Sequence, residues 1–324
     1  MTLLLGVAVP LAMLATTLGL AIAFGGPGTP APMASVNNPF KTVDYSDLPP
    51  LARFSARDGK ELAFRAYSPA SNLVNGSVVL VHGSSASSSS MHVMAKAFSR
   101  AGYAVYALDI RGHGDSGPKG HIGYVGQLED DLEDFVRSAS LPKPATLAGF
   151  SSGGGFVLRI AGSDRQTLFQ NYLLLSPFIS QDAPTYRPNS GGWVSVGVPR
   201  IIALAALDAV GVRAFNNLPV TRFALNEEAK AFLTPAYSFA LSVNFRPQRD
   251  YIANIRSVDR PCRLVADAND EVFFTARFAE VFRSAGKDVP VTLVPGVSHI
   301  QLTLAPQAIG AAIAAVQSMQ PPRV

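Results

Sequence analysis

Apolar residues follow two rhythms along this chain, and the rhythm divides it. Predominantly apolar runs at 77–81, 103–108, 145–148, 172–175, 262–266 and 289–294 suit strands covered on both faces, as in a parallel sheet. Between them, apolar positions recur every three or four residues over 91–101, 128–136, 274–285 and 306–318, which predicts helices. Strand and helix therefore alternate from residue 77 to the C-terminal end, with one break at about 180–249. The alternation predicts an α/β fold, a mostly parallel sheet flanked by helices. Just before it, residues 52–56 and 61–67 alternate apolar with polar positions around Asp58-Gly59, the pattern of a β-hairpin.

The break at 180–249 is rich in Pro, Asn and Gly and holds one apolar helical segment, 198–210. It reads as a helical cap inserted into the alternating domain. Its Val194, Val196, Val198, Ile201, Ile202, Leu204 and Leu207 are more apolar surface than a small insertion can bury within itself. They are expected at a pocket mouth or against a bilayer.

A third pattern opens the chain, because residues 3–24 carry no charge. As a helix that run would be about 33 Å long, enough to cross a hydrocarbon core. No Lys or Arg precedes it, and the nearest candidate cleavage site, Ala21-Ile22-Ala23, lies inside it. It therefore reads as an uncleaved transmembrane anchor over residues 1–24 rather than a removed signal peptide. A cleaved segment would instead mean a secreted or periplasmic protein. The first basic residue after the run is Lys41, so loop charge sets no membrane orientation. Residues 25–50, rich in Gly and Pro, read as a linker, and 51–324 as the folded domain.

Composition strengthens the membrane expectation, since 48% of the residues are hydrophobic and only 15% charged. The net charge of +4 comes without a dense Lys/Arg cluster, which argues against a nucleic-acid partner. The single cysteine, Cys262, allows no intramolecular disulfide and reads as a small core residue. Glu129, Asp130, Asp131, Glu133 and Asp134 surround the apolar stripe of a helix and read as its solvated face. Nothing pairs them with an inward-facing histidine, so no metal or other cofactor is called for.

Candidate chemistry centres on Gly149-Phe150-Ser151-Ser152-Gly153, a G-x-S-x-G turn between the strand at 145–148 and a helix opening at Gly153. Such an elbow projects its serine above the sheet, with glycines where strand and helix backbones nearly touch. Ser151 is thus a candidate nucleophile. A serine hydroxyl needs an imidazole base, and the base needs an acid to fix its tautomer. His299 follows the last strand, in Gly296-Val297-Ser298-His299. Asp270 follows the strand before it, in Asp267-Ala268-Asn269-Asp270-Glu271. All three stand at carboxyl ends of expected parallel strands. Asp267 is a second carboxylate in the same loop, and spacing favours Asp270. His82, His113 and His121 read as backbone-shaping or loop residues, and His92 as lying outside the pocket.

These pieces, with Val81-His82-Gly83 and Asp109-Ile110-Arg111-Gly112-His113-Gly114-Asp115-Ser116, resemble the α/β-hydrolases, specifically the monoacylglycerol lipase and lysophospholipase-like branch, over about residues 51–320. The resemblance implies an eight-stranded sheet, a cap over the site, and hydrolysis of a small-molecule or lipid acyl ester through an acyl-enzyme. It also implies an oxyanion hole made by the backbone N–H groups of Ser84 and Ser152. The chain departs from the family at Phe150 and Ser152, where His and Met are common, and at Asp267, where glycine is usual. A serine run, 84–90, replaces the commoner His-Gly-x-Gly loop. Two other outcomes fit the same residues: a non-catalytic binding protein on this fold, or acyltransferase or haloperoxidase-like chemistry on the same triad. Epoxide hydrolases and dehalogenases would carry Asp at position 151.

Overall fold

The expected hairpin forms from β1 (Leu51–Ser55) and β2 (Glu61–Tyr67), paired antiparallel. The apolar runs become β3 (Ser77–Val81), β4 (Ala104–Leu108), β5 (Ala145–Phe150), β6 (Asn171–Leu175), β10 (Cys262–Asp267) and β11 (Val291–Val294), within a few residues of expectation. These eight strands form one sheet in the order β1-β2-β4-β3-β5-β6-β10-β11, parallel from β4 onward. In this computed structural model residues 2–34, 38–71, 73–188 and 192–320 are described, the side chains of 2–8 excepted. Parts of the expected anchor, linker, cap and C-terminal end, at 1, 35–37, 189–191 and 321–324, lie outside the described residues.

The central apolar runs lack alternation because both sheet faces are covered there, whereas the edge strand β11 is half exposed. Val78 and Leu80 of β3 pack on one face beneath α2 (His92–Arg100) and α10 (Pro306–Ser318), with Met94, Phe98, Ile309 and Val316. Val79 and Val81, one residue out of step, pack on the other face with Phe135 of α3 (Gln127–Ser138), Phe156 of α4 (Ser152–Ala161) and Phe282 of α9 (Phe278–Ser284). A period of two thus sends alternate residues to opposite cores.

The acidic face of α3 is not solvated, contrary to expectation. Asp131 lies 2.7 Å from Arg111, Asp134 3.0 Å from Arg57, and Glu129 pairs with Arg159 of α4. Glu129, Asp131 and Asp134 are all buried. Arginines from three other segments replace water on this face. Sequence could not show it, because each partner lies more than 19 residues away. Breaking such a pair would strand a buried charge.

The break in the alternation is a cap of mixed structure, not the helical one expected. It holds β7 (Val194–Val196), α5 (Val198–Ala209), β8 (Pro219–Phe223) and β9 (Ala236–Ser238), the three strands forming a small antiparallel sheet. Short helices α6 (Glu227–Phe232), α7 (Phe239–Asn244) and α8 (Tyr251–Arg256) follow between and after them. The small sheet escapes sequence reading because two of its strands are three residues long.

The N-terminal run forms α1 (Thr2–Phe24), and it docks on the cap. Ile22 packs beside Leu204, Val220 and Phe239, and the Arg200 guanidinium donates to the carbonyls of Ile22 (2.7 Å) and Ala23 (3.1 Å). A cation thereby caps the negative end of the helix dipole. The expected spanning anchor is corrected here: among the described residues no helix is long and apolar enough to cross a membrane. The C-terminal end of α1 is instead packed against the cap through Ile22 and the Arg200 guanidinium. The Gly/Pro-rich segment after it is also pinned, since the Met33 N–H donates to the Ala224 carbonyl at 3.0 Å and Pro39–Thr42 forms a 3-10 turn.

Candidate active site

Ser151 sits where β5 turns into α4, with φ 54° and ψ −119°. That region is costly for any residue but glycine, so the turn must be held from outside. The Ser151 N–H donates to the Leu175 carbonyl at 2.9 Å, and its own carbonyl accepts from Gly155 and Phe178, both at 3.0 Å. Glycine is required on either side. A Cβ on Gly149 would collide with the Gly153 carbonyl, and one on Gly153 with the His82 carbonyl. Neither obstacle is a side chain that can swing away. Gly153→Ala is therefore expected to cost at least about 3 kcal/mol of stability, read from the midpoint of urea unfolding.

Strands β10 and β11 deliver the other two groups to the same sheet edge. His299 Nε2 lies 3.0 Å from Ser151 Oγ, and His299 Nδ1 lies 2.8 Å from Asp270 Oδ2. The second Asp270 oxygen accepts from the N–H groups of Val272 (2.7 Å) and Phe273 (3.0 Å). Burial pushes the Asp270 carboxyl up, but the His299 charge and these hydrogen bonds outweigh it and hold it below the usual carboxylate range. An ionised Asp270 fixes the tautomer with its proton on Nδ1, leaving Nε2 free to accept the serine proton. Asp267, the other candidate acid, is fully buried at the end of β10, and neither of its oxygens has a hydrogen-bond partner among the described residues.

Ser84 and Ser152 stand together beside Ser151, their hydroxyls hydrogen-bonded to each other. Ser152 opens α4, so its N–H has no acceptor in the preceding turn. Gly83 brings the loop this close, since a Cβ there would meet the Phe150 ring at 2.9 Å. The serine run is anchored by residues of the cap. Ser85 N–H donates to Tyr237 Oη at 2.6 Å, and its hydroxyl to the Thr234 carbonyl at 2.6 Å. Tyr237 also meets His113 Nε2 at 2.6 Å, so His113 braces this loop, as a loop hydrogen-bonder should. His82 Nε2 accepts from the Ile110 N–H at 3.3 Å, which leaves Nδ1 to donate to the Gly83 carbonyl at 2.8 Å. His92 contacts Tyr67 and Asp47, outside the pocket.

The pocket above Ser151 is lined by Phe40, Phe150, Trp193, Leu233 and Ile300, and its volume is about 40 Å³. Small-molecule sites usually run to roughly 300–1,000 Å³, so apolar side chains close this one over the serine. A larger groove, about 540 Å³, lies beside Arg111 and His121 and touches none of the groups above. The cap residues expected at the mouth are elsewhere. Leu204 is fully buried in the cap's own cluster with Ile201 beside it, while Val196, Val198 and Ile202 are exposed away from the pocket. Phe40 of the linker and Trp193 ahead of β7 take the expected place instead. Trp193, the chain's one tryptophan, was the available signal. Nothing local marked Phe40.

Comparison with known proteins follows the same lines. The Hydrolase_4 family, described as serine aminopeptidase S33, matches residues 73–303, well over half of the chain. The chain belongs to this family. Its α/β-hydrolase fold is shared with a soluble variant of monoglyceride lipase from Saccharomyces cerevisiae crystallised with a substrate analogue. That match has a TM-score of 0.64 at 19% identity and covers 86% of this chain and 96% of the other. The monoacylglycerol lipase of Paleococcus ferrophilus matches with a TM-score of 0.57 at 20% identity, over 80% and 98% of the two chains. In sequence, the monoacylglycerol lipase of Mycolicibacterium smegmatis is 34% identical over 108 residues. That stretch is 32% of this chain and 38% of the relative.

Proposed function

We propose that the chain is a serine hydrolase that cleaves carboxylic esters with apolar acyl groups, by way of an acyl-enzyme. The observation that carries this reading is the unbroken hydrogen-bond line from Ser151 through His299 to Asp270. In the first step Ser151 Oγ attacks the ester carbonyl carbon while His299 Nε2 takes its proton. The N–H groups of Ser84 and Ser152 receive the oxyanion. His299 then returns the proton to the departing alcohol, and water repeats the sequence to release the acid. The apolar lining at Phe40, Trp193 and Leu233 and the partial likeness to monoacylglycerol lipases support a lipid-like acyl ester.

Fluorophosphonate labelling tests the chemistry, with the adduct expected on Ser151 by peptide mass. A series of p-nitrophenyl esters from acetate to dodecanoate then tests the substrate class. Trp193→Ala is expected to raise kcat/KM on the long esters about tenfold and leave acetate within twofold, because the longer chain must displace the indole. An unlabelled protein would mark a non-catalytic member of the fold, and a flat series would remove the lipid-like substrate.

We further propose that α1 holds the protein at a membrane. Residues 3–24 carry no charge, and Val9, Leu11, Met13, Leu14, Leu20 and Phe24 are exposed on α1, with Val198 and Ile202 exposed on the cap helix it packs against. The full chain is expected to float with phosphatidylglycerol/phosphatidylcholine vesicles in a density gradient, and a chain starting at residue 25 to stay behind. Equal distributions would exclude the attachment.

A further inference from the structure

The pairing of Asp267 with the triad acid has no place in the steps above. Asp267 is 0% exposed, and both carboxyl oxygens lack a hydrogen-bond partner among the described residues. An ionised carboxylate left in this condition is among the costliest groups a core can hold. Yet Asp267, Asp270 and His299 each bring one oxygen or nitrogen within 4.8 Å of the others. Two groups that only accept when ionised thus face each other, and like charges so close cannot both persist. One of the two must carry a proton.

Geometry decides which. Asp270 already accepts from Val272, Phe273 and His299, so a proton on it would meet a donor in each direction. Asp267 has no comparable set of donors, the Asn269 backbone being the one group that opposes its proton by hydrogen bonding, and it has room to donate. The titratable groups facing Asp267 are Asp270 and Glu271 of its own loop and His299 beyond β11, while its sheet partner Val294 is apolar. Burial first, then the neighbouring Asp270, pushes the Asp267 carboxyl up to about 9.

We propose that Asp267 is a positioning residue, protonated at neutral pH, whose O–H donates to the Asp270 carboxylate and tempers the negative charge presented to His299. The role rests on the esterase reading, because only there does His299 act as a base. A donor on Asp270 spreads its charge, so His299 gives up its proton at a lower pH and is ready to serve Ser151 near neutrality. Glycine, usual in the family at this position by the resemblance above, offers no such donor.

The test compares Asp267→Asn, which keeps a donor without a titrating proton, with Asp267→Ala, which keeps neither. In the Ala variant kcat is expected to fall about tenfold, as when a hydrogen bond to a charged group is removed. The acid limb of kcat/KM should move up by about 0.5–1 pH unit, with KM unchanged. The Asn variant should restore both. Two readouts need no turnover. An infrared band of a protonated carboxyl should be present at pH 7 in the wild type and missing from Asp267→Asn.

Stability should follow the same proton. The carboxyl is raised in the fold above its unfolded value near 4, so its contribution is fully present below that value and is lost as pH rises toward about 9. Asn does not titrate, so the melting temperature of Asp267→Asn should gain on the wild type from pH 5 to pH 8. A missing band or a constant gap would overturn the protonation. A band and a widening gap with an unmoved acid limb would overturn the positioning role. Failure of Ser151 to take up fluorophosphonate would defeat the esterase reading alone, leaving both spectroscopic and stability results intact.

Discussion

Ser151→Ala is expected to lower kcat on acyl esters by on the order of 10⁶, to the residual rate the oxyanion donors support, and to fold like the wild type. The loss is large because the reaction passes through a covalent bond that only Oγ can make. It is clean because the hydroxyl carries no part of the core, and the strained φ of 54° is held by backbone hydrogen bonds that alanine keeps. His299→Ala should lose a similar factor, since an unassisted hydroxyl is a poor nucleophile. The double variant should lose little more than either single one, because the two groups work as one unit. Stopped assays on an activated ester, beside matched unfolding curves, check all three. A Ser151→Ala protein turning over at the wild-type rate would move the nucleophile elsewhere.

Asp270→Asn should cost on the order of 10⁴ in kcat at neutral pH. The backbone sets the reason. The N–H groups of Val272 and Phe273 both donate to one Asp270 oxygen, so an asparagine must turn its carbonyl toward them. Its NH₂ then faces His299 Nδ1, which can only accept. The imidazole proton is driven to Nε2, the atom that must take the proton of Ser151. Asp267→Asn meets no such constraint and should lose far less at pH 7. The reverse ranking would make Asp267 the acid.

Much of this is legible in the sequence, for a local reason. An apolar run without alternation already states that both sheet faces are covered, so the strands from 77–81 to 289–294 could be placed within a few residues. The G-x-S-x-G turn is likewise a short-range signal, since its glycines answer to backbone atoms a few residues away. His299 and Asp270 were found because parallel topology delivers every strand's carboxyl end to one edge. The acidic face of α3 was misread because its arginine partners come from remote segments. The pocket-mouth expectation for the apolar cap residues fails because composition gives the amount of apolar surface, not the direction it faces. Leu204 and Ile201 turned inward on Val220 and Phe239, and Phe40 and Trp193 closed the pocket.

By itself the sequence determined the periodicities, and with them the layered α/β fold, the elbow and the three groups a serine relay needs. Spacing already favoured Asp270 as the acid, but tertiary structure alone decided what each carboxyl meets. Asp267 and Asp270 are three residues apart with the same side chain, and no local pattern shows their surroundings. One ended against two backbone N–H groups and an imidazole, the other buried with neither oxygen hydrogen-bonded among the described residues, because the turn after β10 aims them differently. Environment, not residue type, sets whether a carboxyl holds a charge or a proton.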